Sequence, residues 1–288
     1  MTSRIEHNDP QGHGAFSLTY HYEMLADAKR VTPFARAIDQ QCEGKVVFES
    51  GTGTGVMSLL AARAGATHVF CTELDPTVAE FAKFNFAKSG FGGKITLLRK
   101  STLEVTLADL GGMQPDVIIA ENLATWQVTE PQNQVMNHLR RTVGKDSTVA
   151  IPGVAHNYVQ LAESSYTFFD AVELKAHYFE FAGIRGATVR SAPTLFSTFD
   201  YSLEVPTTIE KEIEVRAWTS GVVNSLRMTS PLVVSEGNTF DCSDSLMPPV
   251  VVPLPTPLTV EVGEVVSVFV RYDTHTNWPD LVCTVTKR

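Results

Sequence analysis

The sequence is poor in cysteine, in basic clusters and in long apolar runs, and each shortage removes a class of protein. Four cysteines, Cys42, Cys71, Cys242 and Cys283, are scattered through 288 residues without CxxC pairs or Cys/His ligand spacing. No metal site and no disulfide framework is expected, and the four read as buried thiols, since free Cys packs as a small apolar residue. Lys and Arg number 23 against 32 Asp and Glu, a net charge of −9. No basic cluster reaches the density used on a phosphate backbone, so no nucleic-acid partner is expected, while small cationic ligands stay open. No run of about 18 apolar residues occurs, which predicts no membrane-spanning helix. The Met1–His7 segment has no apolar stretch behind a basic one, so the chain reads as soluble and cytoplasmic.

What is present is a chain that is 43 % hydrophobic and long enough for one large domain or two small ones. Its first half alternates strand-like and helix-like segments: Lys45–Glu49, Val56–Ala64, His68–Thr72, Pro76–Ser89, Lys94–Arg99, Asp116–Ala120, Gln132–Thr142 and Ser147–Ile151. That alternation predicts an α/β fold, a Rossmann-like parallel sheet with helices on both faces. At Pro152-Gly153 the pattern changes to short alternating runs such as Glu212–Trp218, Val250–Leu254 and Val265–Tyr272, separated by Pro, Gly and Ser. Residues 152–288 are therefore expected to form a β-rich, barrel-like domain after a domain spanning 1–151. The aromatic Tyr166–Gly183 stretch reads as an inserted helix or an oligomerisation arm.

Glycines mark the candidate site. Val46-Val47-Phe48 runs into Glu49-Ser50-Gly51-Thr52-Gly53-Thr54-Gly55 before a helix starts, so the loop falls at the carboxyl end of the first parallel strand, where open α/β sheets bind ligands. Val56 stands where a dinucleotide fingerprint needs its third glycine, and no Gly-Lys-Ser/Thr closes a phosphate loop. Glu73 ends the second strand at the distance where an acid reaches a ribose diol.

Glu49-x-Gly51-x-Gly53-x-Gly55 with Glu73 resembles the S-adenosylmethionine site of class I methyltransferases. The upstream segment His21-Tyr22-Glu23-Met24-Leu25-Ala26-Asp27-Ala28-Lys29-Arg30 is similar to the His-Glu-Glu-Met-Leu-x-Asp-x-x-Arg segment of protein arginine methyltransferases. The likeness continues through Ala61–Ala66 and Asp116–Glu121 to Ile151-Pro152. In the second half it rests on architecture and the Gly263-Glu264 turn. The resemblance implies S-adenosylmethionine as cofactor, with Thr52 and the loop glycines against its methionine portion and Glu73, beside Leu74, on its ribose. It also implies Arg30 on its carboxylate and His21 over it on a closing N-terminal helix. Ser101 and Thr102 follow the third strand and are placed by position near the adenine.

Glu121 and Glu130 are nine residues apart, as are the two glutamates that grip a guanidinium in that family. A carboxylate pair neutralises a cationic nucleophile, aims its lone pair and takes a proton. Two departures touch the acceptor side. Asn122-Leu123-Ala124-Thr125-Trp126 replaces the family's Trp-Met-Gly-Tyr run, which leaves Glu130 also readable as a helix-start residue before Pro131. Ser245-Leu246-Met247 stands where its Thr-His-Trp loop belongs. The Thr274-His275 pair with Trp278 lies beyond the Gly263-Glu264 turn and reads as a loop.

The sequence thus reads as a methyltransferase with a small-molecule acceptor, an amine or an electron-rich ring. An indole suits it, because a carboxylate accepting the ring N–H pushes electron density onto C3, and Tyr20, Tyr22, Met24, Asn122 and Trp126 are the expected acceptor contacts. The alternatives are a protein arginine methyltransferase and a cofactor-binding regulator without catalysis. By the resemblance, a homodimer is expected through the Tyr166–Gly183 arm.

Overall fold

The computed structural model describes residues 16–184 and 186–287; Met1–His7 lies outside them. Helices α1 (Leu18–Ala26) and α2 (Ala28–Gln41) lead in, each started by its own cap: Ser17 Oγ accepts from Tyr20 N at 3.2 Å, and Asp27 Oδ1 from Arg30 N at 3.1 Å. Strands β1 (Val46–Ser50), β2 (His68–Thr72), β3 (Ile95–Leu98), β4 (Val117–Ala120) and β5 (Val149–Ile151) then alternate with α3 (Val56–Arg63), α4 (Pro76–Ser89) and α5 (Gln132–Thr142). In α4 the start is local chemistry: Asp75 Oδ1 accepts from Thr77 N and Val78 N at 2.7 and 2.9 Å, Pro76 follows, and Gly90 closes the far end at φ 81°.

All five strands pair in parallel in the order β3-β2-β1-β4-β5. The chain winds to one side of β1 and then to the other, and this reversal opens a crevice at the carboxyl ends of β1 and β4. Because helices cover both faces, β1, β2 and β4 are buried nearly throughout, with Phe34 and Ile38 of α2, Ala61 of α3 and Leu139 of α5 fully enclosed.

From Val154 onward the structure is β. Strand β6 (Val154–Glu163) leads to a hairpin of β7 (Thr167–Phe168) and β8 (Val172–Glu173), then β9 (Tyr178–Phe179), β10 (Thr188–Val189) and β11 (Thr194–Asp200). Next come β12 (Thr208–Arg216), β13 (Gly221–Thr229), β14 (Leu232–Ser235), β15 (Asn238–Phe240), β16 (Val250–Val260), β17 (Val265–Asp273) and β18 (Val282–Lys287). An eight-stranded antiparallel half-barrel has the path β15-β14-β6-β13-β16-β9 with β10 and β11 on β6, and β12-β17-β18 form a second sheet. Strand β16 runs past Leu254 although Pro255 and Pro257 follow, because both fall where the β13 ladder is interrupted between Pro253 and Leu258 and no partner requires their missing N–H.

The Tyr166–Gly183 stretch is not a helix. Phe169 and Asp170 adopt left-handed backbone (φ 55° and 53°) and turn the chain into the β7–β8 hairpin, a local reversal that a continuous helix does not allow. Phe169 at its tip is 98 % exposed. Cys42, Cys71 and Cys283 are buried and Cys242 half-buried, all as free thiols. Among the described residues no helix is long and apolar enough to cross a membrane.

Candidate active site

The crevice at β1 and β4 holds a cavity of about 730 Å³, walled by α1, the glycine loop, the starts of α4 and α5, and two loops from the β half. Gly51, Gly53 and Gly55 all have positive φ (64°, 56° and 99°). At Gly53 a Cβ would lie 3.2 Å from the His21 ring, and at Gly55 2.5 Å from Phe86, so the loop is flattened between α1 and α4 in a way only glycine permits.

Beneath the loop, Glu49 is 97 % buried by its 3 % exposure, and its Oε2 accepts from Thr52 Oγ1 at 2.6 Å and from Ser58 Oγ. Burial pushes its carboxyl up to about 7 against the pull of these hydroxyls. Glu49 therefore holds the loop from below. Glu73 works from the side: its Oε2 accepts from Gly53 N at 2.8 Å and its Oε1 from Asp75 N at 2.9 Å. A carboxylate has about four acceptor sites, so a diol can still be bound. Leu74 is exposed against the cavity and Ser101 half-buried beside it, while Thr102 is turned inward, bonded to Ser50 and Thr72 hydroxyls at 2.9 and 2.6 Å.

Arg30 reaches the cavity from α2 and is 94 % buried, from an exposure of 6 %. One terminal nitrogen donates to Met24 O at 3.1 Å, the other pairs with Glu121 Oε2, and Nε is buried with no partner among the described residues. His21 lies over the glycines, and burial, then the Arg30 charge, lower its pKa. Glu121 ends β4, and Asn122 beside it is fixed by Ser50 Oγ donating to Oδ1 at 2.7 Å and by its own N–H donating to Gln132 at 3.0 Å.

Glu130 faces the same cavity before α5, and burial pushes its carboxyl up to about 7. Burial, then the charge of Glu130, push the Tyr20 phenol up to about 12. Tyr20 and Met24 line the cavity with Leu123, Pro131, Val135 and Leu246. Nothing in the spacing of the sequence marks the last four, because three different segments supply them.

Two expected acceptor contacts are corrected. Trp126 is fully buried in the half-barrel, stacked on Phe196 at 4.7 Å with Nε1 donating to Tyr158 O and Thr229 O at 3.2 Å each. Its left-handed backbone (φ 58°) throws the indole away from the cavity. Tyr22 is 72 % exposed and does not line the cavity, since α1 turns Tyr20, His21 and Met24 inward and residue 22 outward.

The Ser245-Leu246-Met247 loop does more than vacate a place. Ser245 Oγ donates to Asp27 Oδ2 at 2.5 Å and Tyr20 OH to Ser245 O at 3.0 Å, tying α1 and the cap of α2 to the β half. Burial pushes the Asp27 carboxyl up, but hydrogen bonds from Ser243 and Ser245 outweigh it and hold it below its ordinary value. The Thr274-His275 segment is a loop, as the sequence suggests, but its His275 reaches the cavity.

Residues 35–178 match the family model described as ribosomal protein L11 methyltransferase (PrmA), half of the chain. The chain belongs to this methyltransferase family. The enzyme is 28 % identical over 237 residues to the uncharacterized protein MJ1452 of Methanocaldococcus jannaschii, covering 82 % of this chain and 85 % of that protein. It is 31 % identical over 147 residues to the arginine N(omega)-methyltransferase of Streptomyces achromogenes, covering 50 % of this chain and 40 % of that one. Its fold matches the Trypanosoma brucei PRMT1 enzyme-prozyme complex with AdoHcy at a TM-score of 0.75 and 18 % identity, covering 92 % of this chain and 96 % of the other. It is a class I S-adenosylmethionine-dependent methyltransferase with a fold like that of arginine methyltransferases.

The site fits that cofactor on its own geometry. The unpartnered Arg30 Nε can complete a fork on a carboxylate, the Gly53–His21 gap has no Cβ in it, and Glu73 has acceptor capacity left for a diol.

Proposed function

We propose that this methyltransferase acts on a small nitrogen-bearing molecule, an amine or an electron-rich ring such as an indole. The observation that carries the reading is that Glu121 and Glu130 face one cavity to which Leu123, Val135 and Leu246 add apolar surface. The cofactor, when bound, supplies an electrophilic methyl group on a sulfonium. The chain supplies position and charge. Glu121, held by Arg30, orients the nucleophile, and Glu130, whose carboxyl titrates near neutrality, accepts the proton that the nitrogen releases. For an indole the same carboxylate takes the ring N–H and raises electron density at C3.

A protein arginine acceptor is the second reading, favoured by the two carboxylates nine residues apart in one cavity. Incubation with labelled S-adenosylmethionine and a panel of indole, tryptophan, simple amines, arginine and a Gly/Arg-rich peptide tests both. Label in a small molecule supports the first reading, and label only in the peptide replaces it with the second. The enzyme is also proposed to form a homodimer through the exposed β7–β8 hairpin, whose Phe168, Phe169, Val172 and Leu174 present apolar surface.

A further inference from the structure

Six described non-glycine residues have left-handed backbone; Trp126, Gln127 and Met247 lie in segments next to residues that line the cavity, and His275 lines it itself. Such conformations persist only where the surroundings over-determine them, and His275 shows how. Thr274 N donates to Thr207 O at 2.8 Å, and Gln134 Nε2 donates to both Thr274 O and Oγ1 at 2.9 Å. His275 N then donates to Gln127 O at 3.1 Å and Thr276 N to Val128 O at 2.6 Å. The end of β17 is thereby stitched to the segment that carries Glu130. None of these bonds involves the imidazole, which makes no hydrogen bond among the described residues and stands exposed at the cavity mouth.

Several donors there are engaged: Arg30 donates to Glu121 and Met24 and keeps only its Nε, which the cofactor's carboxylate is expected to take, Lys100 is paired with Asp109 at 3.1 Å, and the Tyr20 hydroxyl donates to Ser245 O. An acceptor carrying its own carboxylate must keep it away from Glu121 and Glu130, and the exposed His275 imidazole, with no hydrogen bond among the described residues, is a side-chain donor it can use there.

We propose that His275 reads a carboxylate on the acceptor, so that the substrate is a free amino acid with its nucleophilic nitrogen or ring at Glu121 and Glu130 and its carboxylate at the cavity mouth. The inference rests on the assignment of those glutamates to the acceptor. It goes beyond that assignment by naming the substrate class and the residue that selects it.

Tryptophan against tryptamine, and arginine against agmatine, differ by the carboxylate alone. Calorimetry on the complex with S-adenosylhomocysteine is expected to show at least one carboxylated partner binding about ten-fold or more tighter than its decarboxylated counterpart. His275→Ala is expected to erase that preference without changing affinity for the cofactor product. His275→Asn, which tolerates the same backbone, keeps the loop folded and is expected to retain little of the preference. The Cε1–H proton resonance missing in His275→Ala is expected to move when the amino acid is added to wild type. Equal affinities within both pairs, no binding by any of the four, or a preference that survives both variants overturns the inference. If tryptophan or arginine binding depends on His275 but is untouched by Glu121→Gln and Glu130→Gln, the inference about the mouth stands and the glutamate assignment fails instead.

Discussion

Arg30 and Glu121, 91 residues apart in the chain, form a largely buried ion pair inside the cavity. The residue expected to hold the cofactor's carboxylate thus restrains the residue expected to hold the acceptor. One guanidinium links the two halves of the site, and disturbing either partner is felt at both.

Glu121→Gln is accordingly expected to slow turnover severely, by roughly 10²-fold or more, the cost of losing the charge that positions the nucleophile. Affinity for S-adenosylhomocysteine should hold or rise, since Arg30 loses a competing carboxylate. Glu130→Gln removes the carboxylate proposed to take the proton and should slow turnover as well, by roughly 10²-fold. Single-turnover rates beside calorimetry on both variants check this, and wild-type turnover in Glu121→Gln removes that residue from the mechanism.

Glu73→Ala should weaken cofactor binding by about 1–3 kcal/mol, the cost of leaving hydroxyls and a loop N–H without a charged acceptor. Part of the loss is structural, because Glu73 also anchors Gly53 N and Asp75 N. Glu73→Gln keeps one oxygen acceptor and should fall between the two. An affinity unchanged in Glu73→Ala would place the ribose elsewhere.

The pH dependence has opposite signs for stability and for activity. Burial raises the Glu130 carboxyl from 4.5 to about 7, so its contribution to stability is full below pH 4.5 and lost as the pH rises through 7. Glu49, also raised to about 7 chiefly by burial, acts in the same direction. Glu130→Gln should therefore melt a few degrees higher than wild type at pH 8 and not at pH 4, with each kcal/mol worth about 2–4 °C in chains of up to 250 residues. Turnover needs the ionised carboxylate and should climb through pH 7 in wild type. Thermal melts and rates across pH 4–9 test both halves.

Ser245→Ala should cut the tie between the β half and Asp27, a hydrogen bond to a charged group worth about 1.5–3 kcal/mol when buried and less at this partly exposed carboxylate. Since Asp27 caps α2 ahead of Arg30, the loss should appear as a lower melting temperature and weaker cofactor binding together. Tyr20→Phe, which removes the second tie, should act in the same sense. A Ser245→Ala protein with unchanged melting and affinity would show that the latch carries no weight.

Phe169→Asp at the hairpin tip should shift a dimer to monomer without lowering the melting temperature of the isolated chain, since that side chain is 98 % exposed. Light scattering at micromolar concentration decides. A wild-type chain that is already monomeric there refutes the dimer.

The elements that the sequence determined by itself are those whose cause is local. His68–Thr72 and Pro76–Ser89 are legible to the residue because an apolar strand, an Asp-Pro start and a glycine stop act within a few positions. Gly51, Gly53, Gly55 and Glu73 are legible because a strand-to-helix turn and the end of the neighbouring strand fix their place. The acceptor side was decided by tertiary structure. Trp126 belongs to the core rather than the cavity because two consecutive left-handed residues turn it, and their backbone is set by partners as distant as Ser230, whose hydroxyl accepts from Trp126 N at 2.7 Å. Leu246 and His275 enter the cavity only because Asp27 and the Gln127–Val128 carbonyls, far away in sequence, hold their loops there. Local pattern reports hydrogen bonds closed within a turn or a strand; a wall assembled from four loops depends on bonds that span one to two hundred residues, and only the folded chain brings those partners together.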